Sequence, residues 1–149
     1  MIYINEMELF EFGQLCGVVG TLKPGGEKRL ADALQRIGCT CVLFCYRGEQ
    51  DDRLVSFMRT YAEGNIAMRF VYINNEQETS KLPLSMQKKI ESIYVWVDMV
   101  LRSTWSVVDL PICVAVHSDA MICLAGDDGE SILTKILPLR CSRVHKLLQ

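Results

Sequence analysis

Residues 41–73, CVLFCYRGEQDDRLVSFMRTYAEGNIAMRFVYI, hold two apolar runs on either side of an amphipathic segment, and that arrangement decides the fold class. Cys41 to Tyr46 is an unbroken apolar run of strand length, which predicts a strand in mid-sheet, buried on both faces. Asp51 or Asp52 then offers a cap, Leu54, Val55, Phe57, Met58 and Tyr61 make an apolar stripe, and Gly64 and Asn65 end it. A helix therefore follows the strand. Ile66 to Ile73 is a second β-rich run, so the stretch predicts a β–α–β unit with a right-handed crossover and places the chain among α/β proteins.

Upstream, Leu15 to Leu22 (LCGVVGTL) suits a strand or hairpin arm, and KPGGEK after it is turn chemistry. Leu30, Leu34 and Ile37 recur at helical spacing up to Gly38, a natural C-cap. Downstream, NNEQETS is a polar loop or helix start, Met86 to Ile93 reads as helix, YVWVDMVL as strand or helix, and Ser103 to Val107 as a short helical turn. After Pro111, Ile112 to Val116 and Ala120 to Leu124 read as two strands whose HSD connection has hairpin length, predicting an antiparallel pair. Gly126 to Gly129 (GDDG) turns the chain, and Ser131 to Leu148 is expected to return as a last helix. The expected order is β, α, β, α, β, α, β, β, α in one domain over residues 1–149.

Composition narrows the function classes. Half of the residues are hydrophobic, 23% are charged, and the net charge of −2 is spread without a basic patch, so nucleic acid and anionic membranes are not expected partners. The first residues, MIYINEMELFEFGQLC, carry acids where a secretory signal would carry bases, and no apolar run is long enough to span a bilayer. The expected location is cytoplasmic. Seven cysteines at irregular spacing read as reduced, structural thiols rather than a disulfide framework. Cys39 and Cys41, two apart on a strand, are expected on one face without zinc-site spacing, and His117 and His145 stand alone, so no metal is expected. Motifs for hydrolase, phosphate-binding or metalloprotease chemistry are absent, Asp127 and Asp128 suit a turn, and no cofactor is indicated.

The course of residues 41–77, together with Trp105-Ser106-Val107-Val108-Asp109-Leu110-Pro111 leading into ICVAVHSDAMICLAGDDG, resembles the nucleoredoxin and tryparedoxin branch of the thioredoxin fold. The resemblance implies a thioredoxin-like three-layer fold: a central mixed β-sheet flanked by helices, with a C-terminal antiparallel hairpin after a cis Pro111. It places Arg53 on the arginine of the family's W-C-x-x-C-R turn. Glu49 and Asp52 then stand at the cysteine positions and Gly48 at the tryptophan. Disulfide exchange needs a low-pKa thiolate at a helix N-terminus and a resolving thiol. The implied protein is thus a redox-inactive relative with a degenerate active site: a protein-binding or scaffold module, and a possible subunit of a larger complex. Its partner-binding groove would lie between Gly48, Glu49 and Asp52 on one side and Leu110, Pro111 and Ile112 on the other. The alternative is a thiol-disulfide oxidoreductase or redox sensor working through Cys45 alone. Cys113 is a weaker thiol candidate.

Overall fold

The computed structural model describes residues 2–124 and 143–147. Seven strands are described: β1 (Tyr3–Ile4), β2 (Leu15–Val19), β3 (Cys41–Phe44), β4 (Arg69–Asn74), β5 (Met99–Arg102), β6 (Ala120–Leu124) and β7 (Arg143–Leu147). They form a single sheet in the order β1-β5-β4-β3-β2-β6-β7. Every pairing is parallel. The helices are α1 (Glu6–Leu9), α2 (Glu27–Ile37), α3 (Asp52–Gly64), α4 (Glu76–Thr79), α5 (Leu84–Trp96) and α6 (Leu110–Val116).

The β3–α3–β4 unit stands where its sequence places it, with β3 fourth of the seven strands. Strand alternation then divides the core. Val42 and Phe44 face the layer of α2, α3 and α5, packing with Leu30, Leu34, Leu54, Met58, Ile90 and Ile93. Cys41 and Leu43 face the opposite layer, with Leu9 of α1 and Leu110, Cys113 and Val114 of α6. Cys39 precedes the strand and packs in the first cluster while Cys41 packs in the second, so the expectation that both share one face is corrected. The helix α2 ends at Gly38, whose left-handed φ of 67° lets its N–H reach the carbonyl of Leu34.

An all-parallel sheet is not the mixed sheet of a thioredoxin fold, which carries antiparallel strands. The fold implied by the resemblance is therefore overturned, and so is the antiparallel hairpin. Residues 112–116 belong to α6, and HSD is the exit of that helix into β6, which pairs parallel with β2. Five apolar residues do not distinguish a strand from a buried helical turn by periodicity. The physical determinant is connectivity: parallel strands need a crossover element between them, and residues 110–116 are what the chain has between β5 and β6. Pro111 suits the first turn of that helix, where its missing N–H costs nothing. No peptide bond among the described residues is cis, so Pro111 is trans. Of the expected last helix, Arg143–Leu147 is instead strand β7, paired with β6. The rest of that expectation, the GDDG turn and Cys141 lie outside the described residues.

Among the described residues no helix is long and apolar enough to cross a membrane.

Candidate functional site

Strand order locates the site. From β2 the chain steps through β3, β4 and β5 in one direction with its long helices on one face, then returns past β2 to β6 with α6 on the other. Between β2 and β6 the winding reverses, and in open parallel sheets ligands bind outside the carboxyl ends of the strands at such a point.

The loop leaving β2 there is built from turn chemistry. Gly20 has φ 101° and lies against the end of β6; a Cβ on it would stand 2.8 Å from the carbonyl oxygen of Leu124. Pro24 and Gly25 occupy the corners of a turn closed by Gly26 N–H donating to the Lys23 carbonyl at 3.0 Å. The φ of 85° at Gly25 is what a type II turn requires at its third position. The turn delivers the chain into α2, whose first residue, Glu27, has its carboxylate held below the usual range chiefly by its own backbone N–H and then by Arg53.

A crevice of about 970 Å³ opens beside this loop, between α2 and α3. Thr21 and Leu22 line its inner end, Glu27 and Ala31 one wall, and Glu49, Asp52, Ser56 and Phe57 the other. Arg53 Nη1 reaches Glu27 Oε1 at 3.2 Å across the mouth, with both side chains well exposed. Asp52 is more firmly engaged. Tyr46 Oη donates to its Oδ1 at 2.6 Å, and Lys89 from α5 pairs with its Oδ2. Burial alone would raise the Asp52 pKa, but Lys89 and Tyr46 together hold it below the ordinary carboxylate value. Behind this wall Asp51 is 1% exposed. It accepts from the Arg47 backbone N–H at 2.7 Å, from Nε at 3.0 Å and from Nη2 at 2.7 Å, which fixes the turn that carries Glu49.

The groove implied by the resemblance is not assembled. Gly48, Glu49 and Asp52 stand at the carboxyl end of β3, where Asp52 opens α3. Leu110, fully buried, and the partly buried Ile112 pack in the core of the other face, and Pro111 is buried in the first turn of α6. The sheet lies between the two halves. Glu49 and Asp52 do line a crevice, but its other wall is α2. The residues sequence reading missed are Thr21, Leu22, Glu27, Ala31 and Phe57. Their signal was the Pro-Gly-Gly turn between the first strand and its helix, read only as a turn.

The described thiols are all buried. Cys45 is buried, and desolvation, followed by the nearby Asp51 charge, drives its pKa well above the ordinary thiol value. Burial pushes Cys41 up to about 12. Cys113, His117 and Glu6 have the residue types of a thiol triad: His117 Nδ1 is 3.8 Å from Cys113 Sγ, and Nε2 is 3.3 Å from Glu6 Oε1. Nδ1 is also 2.8 Å from the Cys113 carbonyl oxygen, so it carries a proton and donates there. A base for the thiol is thus lacking, and Cys113 is only 1% exposed. Among the described residues no three His, Cys, Asp or Glu side chains are grouped as a metal site needs.

His117 instead closes the C-terminal end of α6, where a cation is favoured. The hydrogen bond with Cys113 raises its pKa, burial opposes, and the Cys113 carbonyl and Glu6 add to the rise, to about 9. The folded value exceeds the ordinary 6.5, so the stabilisation is complete below about pH 6.5 and is lost as pH rises through about 9. Urea unfolding from pH 6 to 10 is expected to show wild type losing stability over that window relative to His117→Gln. Parallel pH profiles would contradict the assignment.

No protein-family model matches the chain, and no curated protein matches its sequence. The functional reading therefore stands on this geometry.

Proposed function

We propose that the chain is a small-molecule-binding α/β module whose ligand occupies the crevice between α2 and α3. The observation that carries this is the crevice of about 970 Å³ at the carboxyl ends of β2 and β3, beside the Gly20–Gly26 loop that leaves β2. The lining supplies the chemistry of recognition. Glu27 is paired with Arg53 and Asp52 with Lys89, and Glu49 and Lys28 are the other charges of the lining, so the crevice carries no excess positive charge to draw an anionic group. Carboxylates and the hydroxyls of Thr21, Ser56 and Thr60 accept from ligand hydroxyls or amines, and the Phe57 ring offers a flat apolar surface. A neutral or cationic ring compound bearing hydroxyls, such as a nucleoside, has that complementarity. Buried thiols with raised pKa values support a role without disulfide exchange.

Adenosine, a hexose and a nucleoside monophosphate, titrated separately while amide chemical shifts are followed, test the reading. Adenosine is expected to move the signals of residues 20–22, 49 and 57 and to bind more tightly than the monophosphate. Phe57→Ala and Glu49→Gln should each weaken it about tenfold, the 1.4 kcal/mol scale of one stacked ring or charged hydrogen bond. No shifts at these residues with any of the three compounds, or preference for the monophosphate, would refute it.

A further inference from the structure

A hollow of about 230 Å³ opens between α4, α5 and β1 and shares no residue with the ligand crevice. Its volume is several times the roughly 30 Å³ that a water molecule occupies in the liquid. The polar side chains around it have already committed their protons inside the protein. Thr79 Oγ1 donates to the Asn75 carbonyl at 3.0 Å, Ser80 Oγ to the Gln77 carbonyl at 2.8 Å, and Tyr94 Oη to Glu76 Oε1 at 3.1 Å. The Gln87 amide is used as well, Nε2 donating to the carbonyls of Ser80 at 3.0 Å and Leu82 at 2.7 Å. What these four side chains have left to offer is lone pairs. Glu76 and Glu91 add carboxylates, and Tyr3 adds an exposed ring.

Behind this wall stands an acceptor without a donor. Asn74, the last residue of β4, is fully buried. Its Nδ2 donates to Thr79 Oγ1 at 3.1 Å and to Tyr94 Oη at 2.8 Å, so the amide is turned toward two residues that line the hollow. Because those two hydroxyls send their own protons to Asn75 and Glu76, the amide cannot be reversed, and its Oδ1 accepts from no described group. Buried oxygens left this way are uncommon, since nothing repays their desolvation. The shortage on the wall and the shortage behind it have the same sign: donors are missing. Arg102 shows how the adjoining surface receives a cation. Its guanidinium carbon lies 3.8 Å from the centre of the Tyr3 ring, and its Nε lies 3.4 Å from Glu76 Oε2. That pair offsets Glu76, whereas Glu91 forms no ion pair among the described residues.

We propose that the hollow between α4 and α5 binds a small aliphatic amine as its ammonium ion, with Glu91 as counter-charge, the Thr79, Gln87 and Tyr94 oxygens accepting its N–H groups, and Asn74 Oδ1 as the innermost acceptor. An alkylammonium has three N–H donors and no acceptor, the complement of a wall that only accepts. The amine is fully protonated at neutral pH, as a lysine side chain is. The Tyr3 and Tyr94 rings favour an organic cation, whose charge and methylenes both suit an aromatic face. A bare metal ion is served less well, because among the described residues no three His, Cys, Asp or Glu side chains are grouped to hold one. An anion would meet Glu91. The site is independent of the reading given to the ligand crevice.

The test is titration of the full chain with 1-butylamine at pH 7 while amide chemical shifts are followed. Butan-1-ol has the same shape without the charge, tetramethylammonium has the charge without an N–H donor, and potassium chloride supplies a bare cation. Expected are saturable shifts at residues 79, 80, 87 and 94 and at the Asn74 side-chain amide, with residues 20–22 beside the ligand crevice unmoved. Butylamine should bind at least tenfold more tightly than any of the three comparisons. Glu91→Gln, a change at an exposed position, should weaken it about tenfold, the scale of one charged hydrogen bond, and leave the urea midpoint unchanged. Tyr3→Leu, which keeps an apolar side chain but removes the ring, should weaken it severalfold. Butanol or tetramethylammonium binding as tightly as butylamine would overturn the proposal, as would binding indifferent to Glu91→Gln. Potassium moving the same signals with equal affinity would overturn it too, since the occupant would then be a metal ion. The absence of any saturable shift at these residues with millimolar butylamine would do the same.

Discussion

Gly17→Val is expected to destabilise the protein by about 3 kcal/mol or more, the upper end of what forcing volume into a packed core costs. Gly17 lies in β2 between Leu43 of β3 and Met121 of β6, with α6 directly above. A Cβ there would stand 2.4 Å from Met121 Sδ, 2.4 Å from Ser118 Oγ and 2.7 Å from Val114 Cγ1. Met121 can move its side chain, but Ser118 Oγ is tied to the Val114 carbonyl at 2.6 Å, so the helix itself must shift. The strain therefore falls on the α6 face of the sheet, opposite the ligand crevice. Gly64→Ala is the matched control: the last residue of α3 has nothing near a new Cβ and should gain up to about 1 kcal/mol from helix propensity. Urea midpoints measure both. A Gly17→Val protein as stable as wild type would mean that α6 does not lie on β2 at this distance.

Asp51→Ala should cost about 3–5 kcal/mol, the scale for removing one partner of a buried ion pair. At about 2–4 °C per kcal/mol for a chain near this size, the melting temperature would fall by roughly 10 °C. The cost is large because three donors from Arg47 converge on this carboxylate, and both side chains are nearly enclosed. Asp51→Asn keeps acceptor capacity and should lose less. The loss is also expected in binding: Asp51 fixes the turn carrying Glu49 and leading into Asp52, so adenosine affinity should fall with stability even at temperatures where the variant is folded. A Asp51→Ala loss under about 1 kcal/mol would show that the pair does not hold this turn, since surface ion pairs contribute no more than that.

How far these features were legible in advance differs from residue to residue. Leu30, Leu34 and Ile37, then Leu54, Met58 and Tyr61, mark α2 and α3 because one face of each helix is buried and the other wet. Cys41 to Phe44 marks a central strand because both its faces are covered. Residues 112–116 were misread for the same reason that they are apolar: Cys113, Val114 and Ala115 are buried in α6, leaving no polar alternation to reveal the period. Residues 143–147 were misread as the end of a helix; RVHKL has no run long enough for its period to be measured. The mixed sheet and the cysteine-turn groove followed from a likeness in element order, and element order does not state which strand lies beside which.

Sequence alone determined the β–α–β unit, its buried middle strand, the turn at Pro24 and Gly25 and the charges at the head of α3, all of which depend on neighbours within a few residues. Only the tertiary structure decided that β6 lies beside β2 and not against its own preceding segment, that Pro111 belongs to a helix on the far face, and that a crevice opens between α2 and α3. Those outcomes depend on contacts between residues some hundred positions apart, such as Gly17 against Met121, where local propensity has no voice and packing and crossover geometry choose.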